Sequence, residues 1–230
     1  EKEEKIRFSG FHQPLFLNGV LMAATKTTVW GFLMKLFRSS IHQTTLLDLA
    51  NRYEQELIPY EYVYTFKQKG KRAAEAVLSF EKGNFCHLFS IGSMVKGLTP
   101  DVDQFAGTKG WNNIKNGRIT YPMLKQINPS QFEYYHKEQT MLDEFIDTLE
   151  HPKAVVYDKS RVKNSNLDAD VLLYGIYGQD VVHLALSQDK DGSWFCRSYF
   201  VRDINKDKLY PTKYIANQAE LDVKVKKRRA

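Results

Sequence analysis

Histidines are the side chains of this 230-residue chain best suited to moving protons near neutral pH, because a free imidazole titrates at about pH 6.5. The chain has six, and two of them have apolar surroundings: His87 lies in NFCHLFSIG and His183 in VVHLALS. His136 falls among polar residues of a long predicted helix. His151 falls at the C-terminal end of that helix, where an imidazolium interacts favourably with the helix dipole.

The cysteines do not suggest a metal or redox centre. There are two, Cys86 and Cys196, and the sequence holds no C-x-x-C, H-E-x-x-H, EF-hand or Walker A spacing. Cys86 and His87 are adjacent, so their side chains diverge on a helix, and no further ligand cluster is near them in sequence. We therefore expect no metal ion and no cofactor, and a reducing compartment rather than a disulfide.

The short helix predicted around His87 leaves two interpretations open. Phe85, Leu88 and Phe89 share its apolar face, and His87 lies on the other side together with Ile91. A histidine at the edge of two packed layers is well placed for general acid or base catalysis. The other interpretation is a buried structural histidine that is hydrogen-bonded to the backbone.

The elements that must position these residues alternate between helical and extended patterns. An amphipathic helix is predicted over 44–57, where Pro59 stops it, and a capping box at 130–133 opens the long helix. Strand patterns occur at 60–66, 75–80, 154–158, 171–177, 181–187 and 194–202. Short connections imply antiparallel neighbours, so the expected fold class is α+β, with helices packed on a small antiparallel sheet.

Composition divides the chain into a helical N-terminal extension over 1–58, an α+β domain over 59–220 and a basic tail over 221–230. The formal net charge is +6, and the last ten residues carry five bases and one acid. Such a tail can track phosphates, bind an acidic partner or remain a disordered, solubilising end.

Nothing in the sequence indicates a membrane partner. No apolar run reaches the about 18 residues that a membrane-spanning helix needs. The most apolar stretch, 28–37, contains Lys35 and precedes Arg38, which favours a core helix. The charged first residues lack the apolar region of a signal peptide, so a cytosolic location is expected.

Several motifs follow one another in a recognisable order: NFCHLFSIG, NIKNGRITYPMLKQ, a long helix and SYFVRDINKDKLYPTKYIANQ. In this order they resemble the phage barnase–EndoU–colicin–RelE-like nucleases, specifically the fourth group, over roughly residues 60–220. The resemblance implies helices on a small antiparallel sheet and metal-independent cleavage of RNA. It also implies that basic, hydroxyl or histidine side chains on the sheet face act on the RNA.

The resemblance extends to individual positions. Ser198 falls on a Ser-aromatic-Phe motif, Tyr214 on a Tyr-Ile-x-x-Gln motif and Arg118 on an N-G-[KR] motif that Lys115 precedes. Each has a structural alternative: a small strand residue for the serine, packing for the tyrosine and solvated surface for the bases.

The matched part excludes His12 and His42, which leaves His87 and His183. On its strand, His183 lies on the face opposite Val182, Leu184 and Leu186, which form the more apolar face and should be core. We therefore expect His183 to face solvent or a substrate groove. A regular hairpin around Gly192 would place it beside either Arg197 or Ser198. The predicted catalytic residues are His87, His183, Arg197, Ser198 and Tyr214, and the predicted substrate-binding residues are Lys115, Arg118 and Arg202.

These residue types suit RNA cleavage without a metal ion, in which the 2′-hydroxyl attacks the adjacent phosphorus. A histidine can accept the hydroxyl proton or protonate the leaving oxygen, and Arg or Lys can stabilise the charged phosphorane. DNA lacks the 2′-hydroxyl, so the mechanism itself would select RNA.

Two hypotheses of function follow. The first is a phage or mobile-element endoribonuclease that acts in the host cytoplasm on a host RNA, such as tRNA or a guide RNA. The alternative is a non-catalytic inhibitor that binds a host defence ribonucleoprotein or its guide RNA; it would act at one copy per target. An ADP-ribosyltransferase-like enzyme is disfavoured, because no Arg, Ser-Thr-Ser and Glu-x-Glu progression occurs. The oligomeric state does not follow from the sequence.

Overall fold

Helix α1, Leu46–Glu56, opens the part of the chain that the computed structural model describes, residues 45–206 and 208–230. A capping box starts this helix: the Asp48 N–H donates to Thr45 Oγ1 (3.1 Å), and the Thr45 N–H donates to the Asp48 carboxylate (3.0 Å). Residues 1–44 of the predicted N-terminal extension lie outside the described residues. The helix that the 44–57 pattern predicted at the end of this extension is observed as α1.

Six further helices and seven strands follow α1 in the described residues. The helices are α2 Phe85–Leu88, α3 Ile91–Val95, α4 Gly107–Lys115, α5 Tyr121–Ile127, α6 Pro129–Thr140 and α7 Leu142–Glu150. The strands are β1 Tyr60–Lys67, β2 Ala74–Ser79, β3 Lys153–Val156, β4 Val171–Tyr177, β5 Asp180–Gln188, β6 Trp194–Asp203 and β7 Ala219–Arg229. Within the described part, no helix is both long and apolar enough to cross a membrane.

The strands form one antiparallel sheet in the order β2-β1-β7-β3-β4-β5-β6. The sheet curls so that strands far apart in this order approach each other; the rings of Phe66 on β1 and Trp194 on β6 are 6.3 Å apart. Helices pack on the inner face of the sheet. The predicted α+β class is therefore confirmed.

The long helix predicted from residue 130 is two helices, α6 and α7, with Met141 between them in a non-helical conformation (φ −110°, ψ 39°). Thr140 Oγ1 donates back to the Lys137 carbonyl at 2.9 Å, a local bond that competes with the helical ladder. The first helix starts at the Asn128 cap and Pro129 rather than at Ser130.

The basic C-terminal segment is a strand of the sheet. β7 lies between β1 and β3 and pairs with both. Its alternate residues Leu221, Val223 and Val225 pack against the main core, while Lys224 and Lys226 are exposed. The sequence contains the alternation L-x-V-x-V that is typical of a strand, but the five bases around it favoured the prediction of a basic tail.

Aromatic rings fill the core between the helices and the inner face. Tyr53 of α1 is fully buried, and its ring lies 5.2 Å from Phe85 and 6.0 Å from Trp111. Phe89 and Phe145 extend this cluster toward β6. Because α1 supplies Tyr53 at its centre, this helix is part of the same core as α2 and the sheet.

The other face of β3 to β6 is also buried. A second apolar cluster there includes Tyr157 and Val162 after β3 and Ile215 before β7. Segments 157–169, 204–206 and 208–217 therefore cover this outer face. Along β5, every residue from Val181 to Ser187 is buried, so this strand does not alternate between core and solvent.

We predict that removing residues 219–230 abolishes cooperative folding, because β1 and β3 then lose the strand that joins them. Circular dichroism during heating should show no sigmoidal unfolding transition for the truncated chain. A Lys224→Gln/Lys226→Gln double variant, which removes charge and keeps the strand, should unfold near the wild-type temperature. A truncated chain with the wild-type transition would mean that the segment is a dispensable tail.

Candidate functional site

Strand β6 lies at the end of the sheet and contains a β-bulge. Among the described strands it pairs with β5 alone. Ala185 lies opposite Ser198 and Leu186 lies opposite Cys196, so Arg197 is the extra residue between them. A bulge leaves the backbone groups of its extra residue without a partner in the ladder.

His87 of α2 forms a hydrogen bond with the unpaired carbonyl of Arg197. Its Nε2 lies 2.7 Å from the Arg197 oxygen. A carbonyl can only accept, so Nε2 carries the hydrogen, and in the neutral ring Nδ1 is then the atom with a free lone pair. The side chain is exposed. The interpretation of His87 as a buried structural histidine was therefore wrong about its burial. The hydrogen bond to the backbone, which the same interpretation predicted, is present.

The side chain of Arg197 is also exposed, beside His87 at the same bulge. Its Nη2 lies 3.4 Å from the Asp168 carboxylate, and both side chains are largely open to solvent. Exposed pairs of this kind contribute little to stability, so the guanidinium can exchange this partner for another anion. Ser198, the next residue, is half-buried opposite Ala185.

A buried carboxyl group lies further along the same edge. Glu138 of α6 is 4% exposed, and it accepts a hydrogen bond from Ser90 Oγ at 3.0 Å. Burial raises the pKa of Glu138 to about 7, although the Ser90 hydroxyl, the charge of Arg202 and the Val201 backbone partly oppose the shift. This carboxyl therefore changes charge near neutral pH.

Ser90 joins the histidine to the carboxyl. Its N–H donates to the His87 carbonyl at 3.2 Å while its Oγ donates to Glu138. Its backbone is in the left-handed region, at φ 58°, which is uncommon and strained for a residue with a side chain. The short break between α2 and α3 thus orients two potential proton carriers.

Glu138 was missed by reasoning from the sequence, although a signal was present. It falls on the buried side of α6, three residues after Tyr135 and six after Phe132. Glutamate is rarely buried unless its carboxyl has partners. A carboxyl on the apolar stripe of a helix therefore indicates a polar cluster.

The side chain of Arg202 lies at the edge of β6 that faces away from β5. Its Nη1 donates to the Val201 carbonyl at 2.8 Å, and its guanidinium carbon lies 5.0 Å from the centre of the Phe200 ring. Its charge acts on the pKa of both Glu138 and His183. Of the predicted substrate-binding residues, Arg202 is the one that these contacts place at the β6 edge.

His183 does not face solvent or a groove, so this prediction was wrong. It is fully buried, its Nε2 lies 2.9 Å from Thr212 Oγ1, and its ring is stacked on Phe200 at 4.5 Å. It lies opposite Phe200 rather than Arg197 or Ser198. The physical reason is the segment 208–217, which lies over this face and brings Thr212 Oγ1 to the imidazole.

Burial also sets the charge of His183. Loss of water around the ring, with a further contribution from Arg202, lowers the pKa of His183 to about 3. The imidazole is thus neutral at physiological pH. Tyr214 lies beside it, with ring centres 5.8 Å apart, so the structure brings these two predicted residues together inside the outer-face cluster.

Lys115 and Arg118 lie at the end of α4. Lys115 Nζ donates to Asn51 Oδ1 at 2.5 Å and to the Glu54 carboxylate at 2.8 Å, which ties α4 to α1. Its ammonium also lies 5.4 Å from the centre of the Trp111 ring. Arg118 is exposed in the turn that follows Gly117. Their roles in substrate binding stay predictions.

The two thiols are buried or half-buried and free. Burial raises the pKa of Cys86 and of Cys196 to about 12, so both thiols are protonated and unreactive at neutral pH. Neither is in a disulfide. From residue 45 onward, leaving out 207, no three His, Cys, Asp or Glu side chains are grouped as metal ligands.

Comparison with known proteins extends these observations. The model of one protein family, described as phage-Barnase-EndoU-ColicinE5/D-RelE like nuclease 4, matches residues 45–230. The match confirms the resemblance seen in the motifs and extends it to α1 and β7. No curated protein and no solved structure matches the chain significantly.

We predict that His183 makes the protein acid-sensitive. Below about pH 6.5 the unfolded chain protonates this histidine, whereas the folded chain resists protonation down to about pH 3, so the unfolding free energy falls as the pH falls between these values. Urea unfolding from pH 4 to pH 7 should show this loss in the wild type and less of it in His183→Gln. His151→Gln, at an exposed histidine, should retain the wild-type slope. An unchanged slope in His183→Gln would contradict the assignment.

Glu138 should act in the opposite direction. The folded state holds the proton of this carboxyl up to about pH 7 and the unfolded state only to about pH 4.5, so stability falls as the pH rises through this range. The shift corresponds to about 3 kcal/mol at most. Glu138→Gln should lose this dependence and be at least as stable as the wild type at pH 8. A variant that is markedly less stable at pH 8 would show that the carboxylate is stabilising.

Proposed function

We propose that this chain, which belongs to the phage-Barnase-EndoU-ColicinE5/D-RelE-like nuclease 4 family, cleaves RNA without a metal ion. The proposed site is the edge of β6 that faces away from β5. The family supports a nuclease type of function. RNA as the substrate, the absence of a metal requirement and the location of the site are our inferences.

One observation carries the proposal: the hydrogen bond between His87 Nε2 and the bulged Arg197 carbonyl. It holds an exposed imidazole in one orientation and assigns its free lone pair to Nδ1. This is the arrangement that a general base requires, because the base must be unprotonated, accessible and fixed. In a regular strand without the bulge, the Arg197 carbonyl would not lie where His87 bonds it.

In the reaction, Nδ1 of His87 accepts the proton of the RNA 2′-hydroxyl as its oxygen forms a bond to the adjacent phosphorus. The bond from phosphorus to the 5′-oxygen then breaks, and that oxygen takes a proton from water, which reaches this exposed edge. The products are a 2′,3′-cyclic phosphate end and a 5′-hydroxyl end. Water also removes the proton from the imidazolium, which restores the base.

Arg197 supplies positive charge for the phosphorane, since its guanidinium is exposed and weakly paired at the bulge that His87 bonds. Arg202 lies five residues further along β6, where the Val201 carbonyl and the Phe200 ring hold its guanidinium. It binds another phosphate of the same RNA strand. Glu138 is buried and acts as a positioning residue, since it holds Ser90 and thereby the turn after His87.

The biological setting is also a proposal. The family description refers to phage, which supports a phage or mobile-element origin and a host RNA, such as tRNA or a guide RNA, as the target in the host cytoplasm. The formal net charge of +6 favours a polyanionic partner. Retention of RNA without any cleavage would instead favour an inhibitor of a host ribonucleoprotein.

We predict that the purified protein cleaves RNA in the presence of EDTA and that His87→Ala lowers the rate at least about 100-fold. Sequencing of the RNA ends should show 2′,3′-cyclic phosphates and 5′-hydroxyls. Circular dichroism should show a folded variant, because His87 is exposed. His151→Ala, at another exposed histidine, serves as the matched control and should cleave like the wild type.

Two results would count against this mechanism. Cleavage that stops in EDTA would mean that a metal ion activates the nucleophile. Full activity in a folded His87→Ala variant would remove the histidine from the reaction.

A further inference from the structure

A polar cleft of about 440 Å³ opens between the end of α3 and the first half of α6. It has no part in the cleavage chemistry at His87. Its walls contain one aromatic ring, two amides, one serine hydroxyl, one ammonium group and one aliphatic side chain. These belong to Tyr135, Asn128, Gln131, Ser93, Lys96 and Leu98.

Helix α6 connects this cleft to the β6 edge. Gln131, Tyr135 and Glu138 are spaced at i, i+4 and i+7, so they lie along one face of the helix. Ser93 and Tyr135 both line the cleft, and the charges of Glu138 and Arg202 both act on the pKa of the Tyr135 hydroxyl. Tyr135 therefore lies between Gln131 in the cleft and Glu138 at the β6 edge along this face of α6.

The lining suits a nucleobase. Tyr135 is half-buried and offers an aromatic ring for stacking, which every base can use. The amide of Gln131 is exposed, with both donor and acceptor atoms. Asn128 uses its Oδ1 to cap α6, where it accepts from the Gln131 N–H at 3.3 Å and from Ser130 Oγ at 3.0 Å, which leaves its NH₂ group to donate into the cleft.

The rim of the cleft fits the rest of a nucleotide. Lys96 is exposed, and an ammonium at this position can pair with a phosphate of the same strand. Leu98 is 57% exposed, so its side chain is available for apolar contact with a sugar or a base. Stacking, amide recognition and a phosphate contact together are typical of binding to single-stranded RNA.

We propose that this cleft binds an unpaired nucleobase of the RNA next to the scissile phosphate and so determines which sequence is cut. The proposal rests on the proposed RNA cleavage at the β6 edge for its biological meaning. Binding of a base in the cleft is a separate physical statement, so the two can fail independently.

The test uses RNA pentamers in which every 2′-hydroxyl is methylated, because these cannot be cleaved by the proposed mechanism. Fluorescence anisotropy measures their binding to the wild-type chain, for four base sequences and for a pentamer with an abasic central position. We expect the best sequence to bind at least about tenfold more tightly than the abasic pentamer. Tyr135→Ala should lose this advantage and Tyr135→Phe should keep it.

Gln131→Ala tests recognition without risk to the fold, since the side chain is exposed. It should change the order of preference among the four sequences. Gln126→Ala, at an exposed glutamine of α5 that does not line the cleft, is the matched control and should bind like the wild type.

The outcomes separate the two proposals. Equal binding of the abasic and complete pentamers, or a base preference unchanged in folded Tyr135→Ala and Gln131→Ala variants, overturns the cleft even if the chain cleaves RNA. Base-dependent binding that requires Tyr135 supports the cleft even if no RNA is cleaved, in which case the cleavage mechanism fails alone.

Discussion

The unpaired side of β6 is the constraint on which the candidate site depends. A strand at the end of a sheet presents backbone N–H and C=O groups that must find partners elsewhere. The helical layer supplies one of these partners and β6 itself another. His87 bonds the Arg197 carbonyl, and Arg202 bonds the Val201 carbonyl. Protection of one edge has therefore brought an imidazole and a guanidinium to the same strand, with the buried carboxyl of Glu138 held next to the His87 turn by Ser90.

The two central histidines show how the same side chain acquires opposite properties from its surroundings. His87 commits one nitrogen to the edge and leaves its side chain exposed, so the other nitrogen is accessible to a substrate. His183 lies on a strand that is covered on both faces and stacks on Phe200, and burial together with the charge of Arg202 lowers the pKa of its imidazole. The difference arises from what covers each residue, since both are flanked by apolar residues in the chain.

Local patterns were sufficient where the partners are close in sequence. The hairpin of β1 and β2 and the meander of β4, β5 and β6 follow from runs of strand-forming residues that short turns separate, and both are observed. The bulge at Arg197 did not follow, because a one-residue shift leaves no mark in an alternating pattern. Glu138 carried a sequence signal, a carboxyl on an apolar stripe, but its partners come from two other elements.

The α+β class, the order of the family motifs and the candidacy of His87 can all be read from the amino-acid order, because they depend on residue types within short stretches. Tertiary contacts settled the rest. β7 joins β1 to β3 across long separations in the chain, and the segment 208–217 buries a face of β5 that alternation alone assigns to solvent. Which face of a strand is covered depends on where distant segments fold, and the periodicity of the strand carries no information about them.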